Sequence, residues 1–316
     1  MTSNGMTSSA KGPSFGAVVT AMGTPFTADG HIDEKGVGDL ARWLVANGSD
    51  ALVVTGSTGE SGTLVDSERR RVWELVRHAV ACPVLAGATT NDTAHSLRLV
   101  KDAIEVGADG ILAVTPYYNR PPQAGLVAHF SAIAEATELP VMLYDIPVRT
   151  GRRIELPTFI SLMEKHDNIV AIKDASGDIG RAGVLIDTLQ GRADVYCGDD
   201  SLLLAFLSLG AVGIVSVASH WAGLGFRALI EAVQAGDLSK ARRINRALLA
   251  SYAFESSEQF PNPIPTKAML EILGVCRRHT RLPMIDPPTE LLDEARALYA
   301  SLQADLAVEG IGVAHA

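Results

Sequence analysis

The stretch Ile169-Val170-Ala171-Ile172-Lys173-Asp174-Ala175 sets a lysine near the end of a short apolar run bounded by polar residues. Such a run reads as a buried strand. Burying a charged ammonium is costly, and a lysine amine freed of its proton attacks ketones and aldehydes to form an imine. The competing reading is a lysine that snorkels to solvent or pairs with its neighbour Asp174. Deciding between the two requires the rest of the chain.

Working outward, similar runs recur on both sides. Strands are expected at 17–21, 51–55, 84–88, 110–115, 141–146, 170–175, 194–197 and 213–218. Helical patterns lie between them, as at 34–47, 67–80, 93–106 and 123–136, with Asp66 and Asp92 as N-terminal signals. Alternating β and α units imply a parallel sheet covered by helices. Eight units predict an α/β fold, the (β/α)8 TIM barrel. The competitor, an open doubly wound sheet, usually has fewer strands, and no GxGxxG follows the first strand. Beyond about Gly236 the strands stop, and helices are expected at 238–254, 265–273 and 289–306. The expected organisation is a disordered tail over 1–13, a barrel over 14–236 and a C-terminal three-helix region over 237–316. Those last helices show no converging polar set, so packing between subunits is their expected role.

Composition removes several function classes. A net charge of -9 and no dense Lys/Arg cluster argue against a nucleic-acid binder. Cys82, Cys197 and Cys276 are odd in number and widely spaced, against a disulfide framework or a structural zinc site. The first 13 residues are Ser/Thr/Gly-rich, without the apolar segment of a signal peptide, and no apolar run spans a membrane. A cytoplasmic protein without membrane or nucleic-acid partners is expected. The eight histidines form no HExxH, and neither a Walker A motif nor a G-x-S-x-G elbow occurs.

In such barrels the chemistry sits at the C-terminal ends of the strands. The second strand runs into Gly56-Ser57-Thr58-Gly59-Glu60, whose hydroxyls and backbone N–H groups either grip a carboxylate or satisfy a plain turn. The fourth ends in Thr115-Pro116-Tyr117-Tyr118-Asn119-Arg120-Pro121-Pro122, whose tyrosines pack on another subunit or reach a site. The fifth ends in Tyr144-Asp145-Ile146-Pro147-Val148-Arg149-Thr150-Gly151. It brings a tyrosine for proton transfer, or for the core, and an arginine suited to a bidentate carboxylate contact, or to a loop surface. Gly198-Asp199-Asp200 pairs two carboxylates, more simply read as an N-cap than as a metal site. Lysine, tyrosine, hydroxyls and one arginine at one face suit imine chemistry on a small keto acid.

Taken in order, these segments, together with Pro261-Asn262-Pro263-Ile264-Pro265, carry a resemblance. From about residue 16 to 306 the chain resembles the pyruvate-dependent class I aldolase family of dihydrodipicolinate synthase and N-acetylneuraminate lyase. The resemblance implies condensation of pyruvate with L-aspartate 4-semialdehyde to 4-hydroxy-tetrahydrodipicolinate, at the start of diaminopimelate and lysine biosynthesis. It implies a Schiff base on Lys173, proton transfer by Tyr144, and a hydroxyl relay through Ser57 and Tyr118, the latter from a neighbouring subunit. Thr58 matches the residue holding the pyruvate carboxylate, Val215 one whose carbonyl faces the adduct, and Arg149 the receiver of the semialdehyde carboxylate. No metal or organic cofactor is implied, because the iminium is the electron sink. A homotetramer, a dimer of dimers, is implied.

Two positions depart from the synthase pattern. Ser57 stands where synthases usually carry threonine and where the lyases often carry serine. That keeps a sister pyruvate aldolase, acting on N-acetylneuraminate or a keto-deoxy sugar, as the alternative. A barrel without catalysis is the reading from another class. At the inter-subunit site where lysine inhibits some members, two histidines and a glutamate match Asp66, Arg69 and His95, while Asn91 and Tyr117 fit. With the glutamate gone, weak or absent inhibition by lysine is expected.

Overall fold

The computed structural model describes residues 12–255 and 257–313. Most of the expected tail, residues 1–11, lies outside the described residues. Eight strands close into one parallel barrel in chain order. They are β1 Val18–Ala21, β2 Ala51–Val54, β3 Val84–Ala86, β4 Gly110–Val114, β5 Val141–Asp145, β6 Ile169–Asp174, β7 Asp194–Cys197 and β8 Gly213–Ser216. The helices between and after them are α1 Glu34–Ala46, α2 Asp66–Ala79, α3 Thr93–Glu105, α4 Gln123–Glu135, the single turn α5 Pro147–Thr150, α6 Leu156–Lys165, α7 Ile179–Leu189, α8 Leu203–Leu209 and α9 Ser219–Gln234. Three more follow, α10 Leu238–Phe254, α11 Ile264–Ile272 and α12 Thr289–Val308.

Several strands end earlier than their apolar runs, because the chain turns before the hydrophobicity does. Thr55 is fully buried, yet it leaves β2 with φ +59, left-handed for a β-branched residue. Its hydroxyl accepts from the Trp73 indole at 2.8 Å, which fixes it there. Asp66 is the first residue of α2 and not its cap. The Val65 amide donates to Glu68 across that turn at 3.1 Å. Asp92 does cap α3, accepting from the Ala94 amide at 3.0 Å.

Alternation along each strand sorts the side chains into two cores. Outward residues such as Ile172 and Leu143 pack under the helices. Inward residues, among them Val19, Val53, Leu112, Met142, Ala171 and Val215, fill the barrel. The N-terminal end is plugged by Phe15 and Tyr196, whose hydroxyl accepts from the Phe15 amide and donates to the Gly16 carbonyl. The helices α10, α11 and α12 share the outer core with the barrel's own helices.

Candidate active site

At the C-terminal end of the barrel lies a cavity of about 340 Å³. Lys173 and Tyr144 stand side by side in it, because β5 and β6 pair in that register. The Lys173 ammonium nitrogen lies 4.2 Å from the centre of the Tyr144 ring. Lys173 is only 5% exposed, and among the described residues no oxygen accepts from its amine. The pairing with Asp174 does not form. Consecutive strand residues face opposite ways, and Asp174 points into the helical layer, 3.3 Å from Arg181. Arg181 also reaches Asp145, at 3.3 Å, the outward neighbour of Tyr144. Burial raises the Asp145 carboxyl to about 6, with the Asp174 charge adding to the rise, against the Ile154 amide and Arg181.

Glycine makes the room that Lys173 uses. A Cβ at Gly198, in the adjacent strand end, would lie 3.0 Å from Lys173 Cε and Cγ and 2.8 Å from Ala175 Cβ. On the opposite wall, Ser57 and Thr58 come from the turn after β2. A Cβ at Gly59 would press on Thr55 Cα at 3.0 Å, and one at Gly87 on the Thr55 carbonyl oxygen at 2.5 Å, so this tight turn requires both glycines. Arg149, on α5, lines the cavity with no ion-pair partner among the described residues. Its guanidinium is available for a carboxylate.

The C-terminal region takes part in this site, a role beyond the packing between subunits expected of its helices. Tyr252 and Glu255, at the end of α10, line the cavity, as does Asn262 before α11. Asn262 Nδ2 donates to the Thr58 hydroxyl at 2.9 Å, and Thr266 donates to Asn262 at 3.1 Å. Asn262 lies in the segment 261–265, whose sequence carries no local signal of this contact. Tyr252 and Glu255 had no sequence signal, since their partners are distant in the chain. Glu60 is tied to the same region: Lys267 Nζ lies 3.2 Å from its carboxylate and the Arg281 amide donates to it at 2.9 Å.

Asp199 has the N-cap role expected of it, accepting from the Ser201 amide at 3.1 Å and hydroxyl at 2.7 Å. Asp200 instead accepts from the Ser216 hydroxyl and the Val217 and Ala218 amides. Among the described residues no group of three or more His, Cys, Asp or Glu side chains could hold a metal. No helix is long and apolar enough to cross a membrane.

Residues 14–302 match the dihydrodipicolinate synthetase family. The chain belongs to that family. It is 46% identical to the 4-hydroxy-tetrahydrodipicolinate synthase of Kineococcus radiotolerans over 303 residues, 95% of each chain. The crystal structure of the Cyanidioschyzon merolae DHDPS with lysine bound superposes with a TM-score of 0.88 at 41% identity, covering 91% of this chain and 98% of that one. The chloride-inhibited dihydrodipicolinate synthase of Acinetobacter baumannii, complexed with pyruvate, superposes at 0.86 and 35% identity, over 91% of this chain and 99% of that one.

Two expected site residues of this synthetase family member stand apart from the cavity in the single chain. Tyr118 is 92% exposed on the loop after β4, with φ +71. Val215 is buried among the inward residues beside Val19, and Val217, two residues on, reaches the cavity wall. A second cavity of about 230 Å³ shares Ser57, Tyr144 and Arg149 with the first and is also lined by Tyr117. Nearby, His95 Nε2 lies 2.8 Å from Asp66, while buried Arg69 donates to the Ser61 carbonyl at 2.7 Å.

Proposed function

We propose that this chain is a 4-hydroxy-tetrahydrodipicolinate synthase, condensing pyruvate with L-aspartate 4-semialdehyde through a Schiff base. The observation that carries the reading is Lys173: a buried amine with no oxygen partner, resting on Tyr144 inside a cavity that also holds Ser57, Thr58 and Arg149. The Lys173 amine adds to the pyruvate carbonyl, and water leaves to give the imine. Tyr144 removes a methyl proton to give the enamine. The enamine carbon attacks the aldehyde, whose oxygen takes up a proton. The substrate's own amine then adds to the imine carbon, closing the ring and releasing Lys173. Thr58, oriented by Asn262, holds the pyruvate carboxylate, Val215 offers its carbonyl to the adduct, and Arg149 holds the carboxylate of the semialdehyde.

The working unit of this proposal is at least a dimer, and a homotetramer in full. Tyr118, with its side chain in solvent, completes the relay with Ser57 and Tyr144 in a neighbouring subunit. Sedimentation velocity tests the assembly. Tyr118→Phe should lower activity without changing the sedimenting species. The setting is the cytoplasm, in keeping with three free cysteines.

Lysine is expected to inhibit weakly or not at all. The one anion of the matching site, Asp66, already pairs with His95, and Arg69 adds positive charge. Half-inhibition below about 1 mM lysine, a range of ordinary ligand affinities, would contradict this.

Mass analysis of the products decides the function. Pyruvate plus aspartate semialdehyde should give the cyclic product, and pyruvate plus N-acetylmannosamine should give none. Condensation with the sugar alone would place the chain among the sister lyases and give Ser57 its meaning. Failure of borohydride plus pyruvate to modify Lys173 would favour a barrel without catalysis.

A further inference from the structure

Glu255, just past the end of α10, has no part in the steps above. It stands in the cavity wall beside Asp200, and its Oε2 is buried without a hydrogen-bond donor. Two ionised carboxylates only accept, so a bond between them needs one proton. Asp200 Oδ2 already accepts from the Ser216 hydroxyl at 2.7 Å and from the Val217 and Ala218 amides at 3.1 and 2.7 Å. Burial raises the Asp200 carboxyl, but three donors on one oxygen hold the charge there in preference to Glu255, which has none on its buried oxygen. The proton therefore resides on Glu255, which donates it. Burial first, and then the Asp200 charge, push Glu255 well above the ordinary carboxyl range.

This bond joins three pieces of the barrel mouth. Glu255 closes α10, Asp200 opens the turn after β7, and Ser216–Ala218 is the rim after β8. That rim includes Val217 of the cavity wall. It is held from the other side by His220, whose Nδ1 donates to the Val217 carbonyl at 2.7 Å while Nε2 accepts from the Gly23 amide at 3.1 Å. Both ring nitrogens are thus engaged in the neutral form, and burial lowers His220 to about 4. Asp200 has no other side-chain donor on the α10 side among the described residues. Removing the proton of Glu255 would leave two negative charges facing each other beside Asp199.

We propose that Glu255 is a positioning residue which, as a neutral acid donating to Asp200, sets the β8 rim and the wall against which the aldehyde substrate is held. The proposal rests on the imine reading for its substrate and not for the proton. The charged and titratable groups around Glu255 are Asp199 and Asp200 from the turn after β7, Cys197 of β7, Tyr252 of its own helix, and Lys173 and Arg149 in the shared cavity.

Glu255→Ala and Glu255→Gln test it. Losing a hydrogen bond to a charged group should raise the aldehyde KM of Glu255→Ala by about tenfold or more. Its kcat should change far less, and borohydride should still trap pyruvate. Glutamine keeps a donor for Asp200 and cannot ionise, so Glu255→Gln should recover most of the KM lost in alanine. It should also flatten any rise of aldehyde KM that the wild type shows on the alkaline side. An unchanged aldehyde KM in Glu255→Ala, or equal damage in both variants, would overturn the proposal. The proton itself is read without activity: the infrared band of a protonated carboxyl group at neutral pH should be present in the wild type and missing in Glu255→Gln. Equal spectra overturn the pairing even if the aldehyde turns out to be another. Failure of wild-type trapping with the band present would sink the imine reading alone.

Discussion

Two lysines are buried among the described residues, and their surroundings are opposite. Lys267, 1% exposed, donates to the Thr24 and His279 carbonyls at 2.5 and 2.8 Å, faces Glu60 at 3.2 Å and lies over the Phe26 ring. Lys173, 5% exposed, has the Tyr144 ring and an open cavity. A buried ammonium surrounded by oxygens is a structural tie. A buried amine left without them, as the proposed imine chemistry requires, is open to a ligand. Residue type and burial are the same in both places, and the acceptor count separates framework from chemistry.

The comparison is easiest to break at Lys173. Lys173→Met should cut turnover by about 10⁴-fold or more, because the nucleophile is gone. Its unfolding free energy in denaturant should stay within about 1 kcal/mol of the wild type, since no partner is stranded. A large loss of stability would mean that Lys173 is framework after all. Lys267→Met should do the reverse. It strands buried Glu60 and should cost about 3–5 kcal/mol in urea unfolding, while the folded fraction still traps pyruvate on Lys173. Restoring stability with Glu60→Gln in the same chain would sharpen the assignment, because the amide carries no charge to strand.

A smaller effect sharpens the contrast along one strand. Asp145 follows Tyr144 but faces the helical layer, and burial raises it from the ordinary 3.8 to about 6. The fold therefore favours its protonated form. That contribution is complete below about pH 4 and is lost as pH rises through about 6, on the order of 3 kcal/mol. Asp145→Asn should remove this component from the pH dependence of unfolding between those limits. An unaltered slope in the variant would show that Arg181 neutralises the carboxylate more fully than its 3.3 Å separation implies.

The barrel is legible in the sequence because strands covered on both faces read as continuous apolar runs, and a lysine within one, such as Lys173, is conspicuous. Their ends are less legible. Thr55 looks like one more strand residue, and its left-handed backbone comes from Trp73 and the two glycines packed against it, which composition does not encode. The far wall of the cavity is hidden for a different reason. Asn262 and Thr58 are 204 positions apart, and Glu255 meets Asp200 across the fold. Neither partner has a local pattern that announces the other. The helices α10 to α12 are legible as helices, but periodicity does not say which distant group Tyr252, Thr266 or Lys267 meets, and Glu255 and Asn262 lie outside the helices altogether.

The tie between the turn after β2 and the far end of the chain sets an order of events during synthesis. Glu60 waits for Lys267 and Arg281, and Thr58 for Asn262. A nascent chain still short of these residues has a carboxylate meant for the interior with nothing to meet it. The ribosome must therefore deliver the chain through Arg281 before the Thr58 end of the cavity can take its shape, and a translation product interrupted before that point would carry Lys173 without this wall around it.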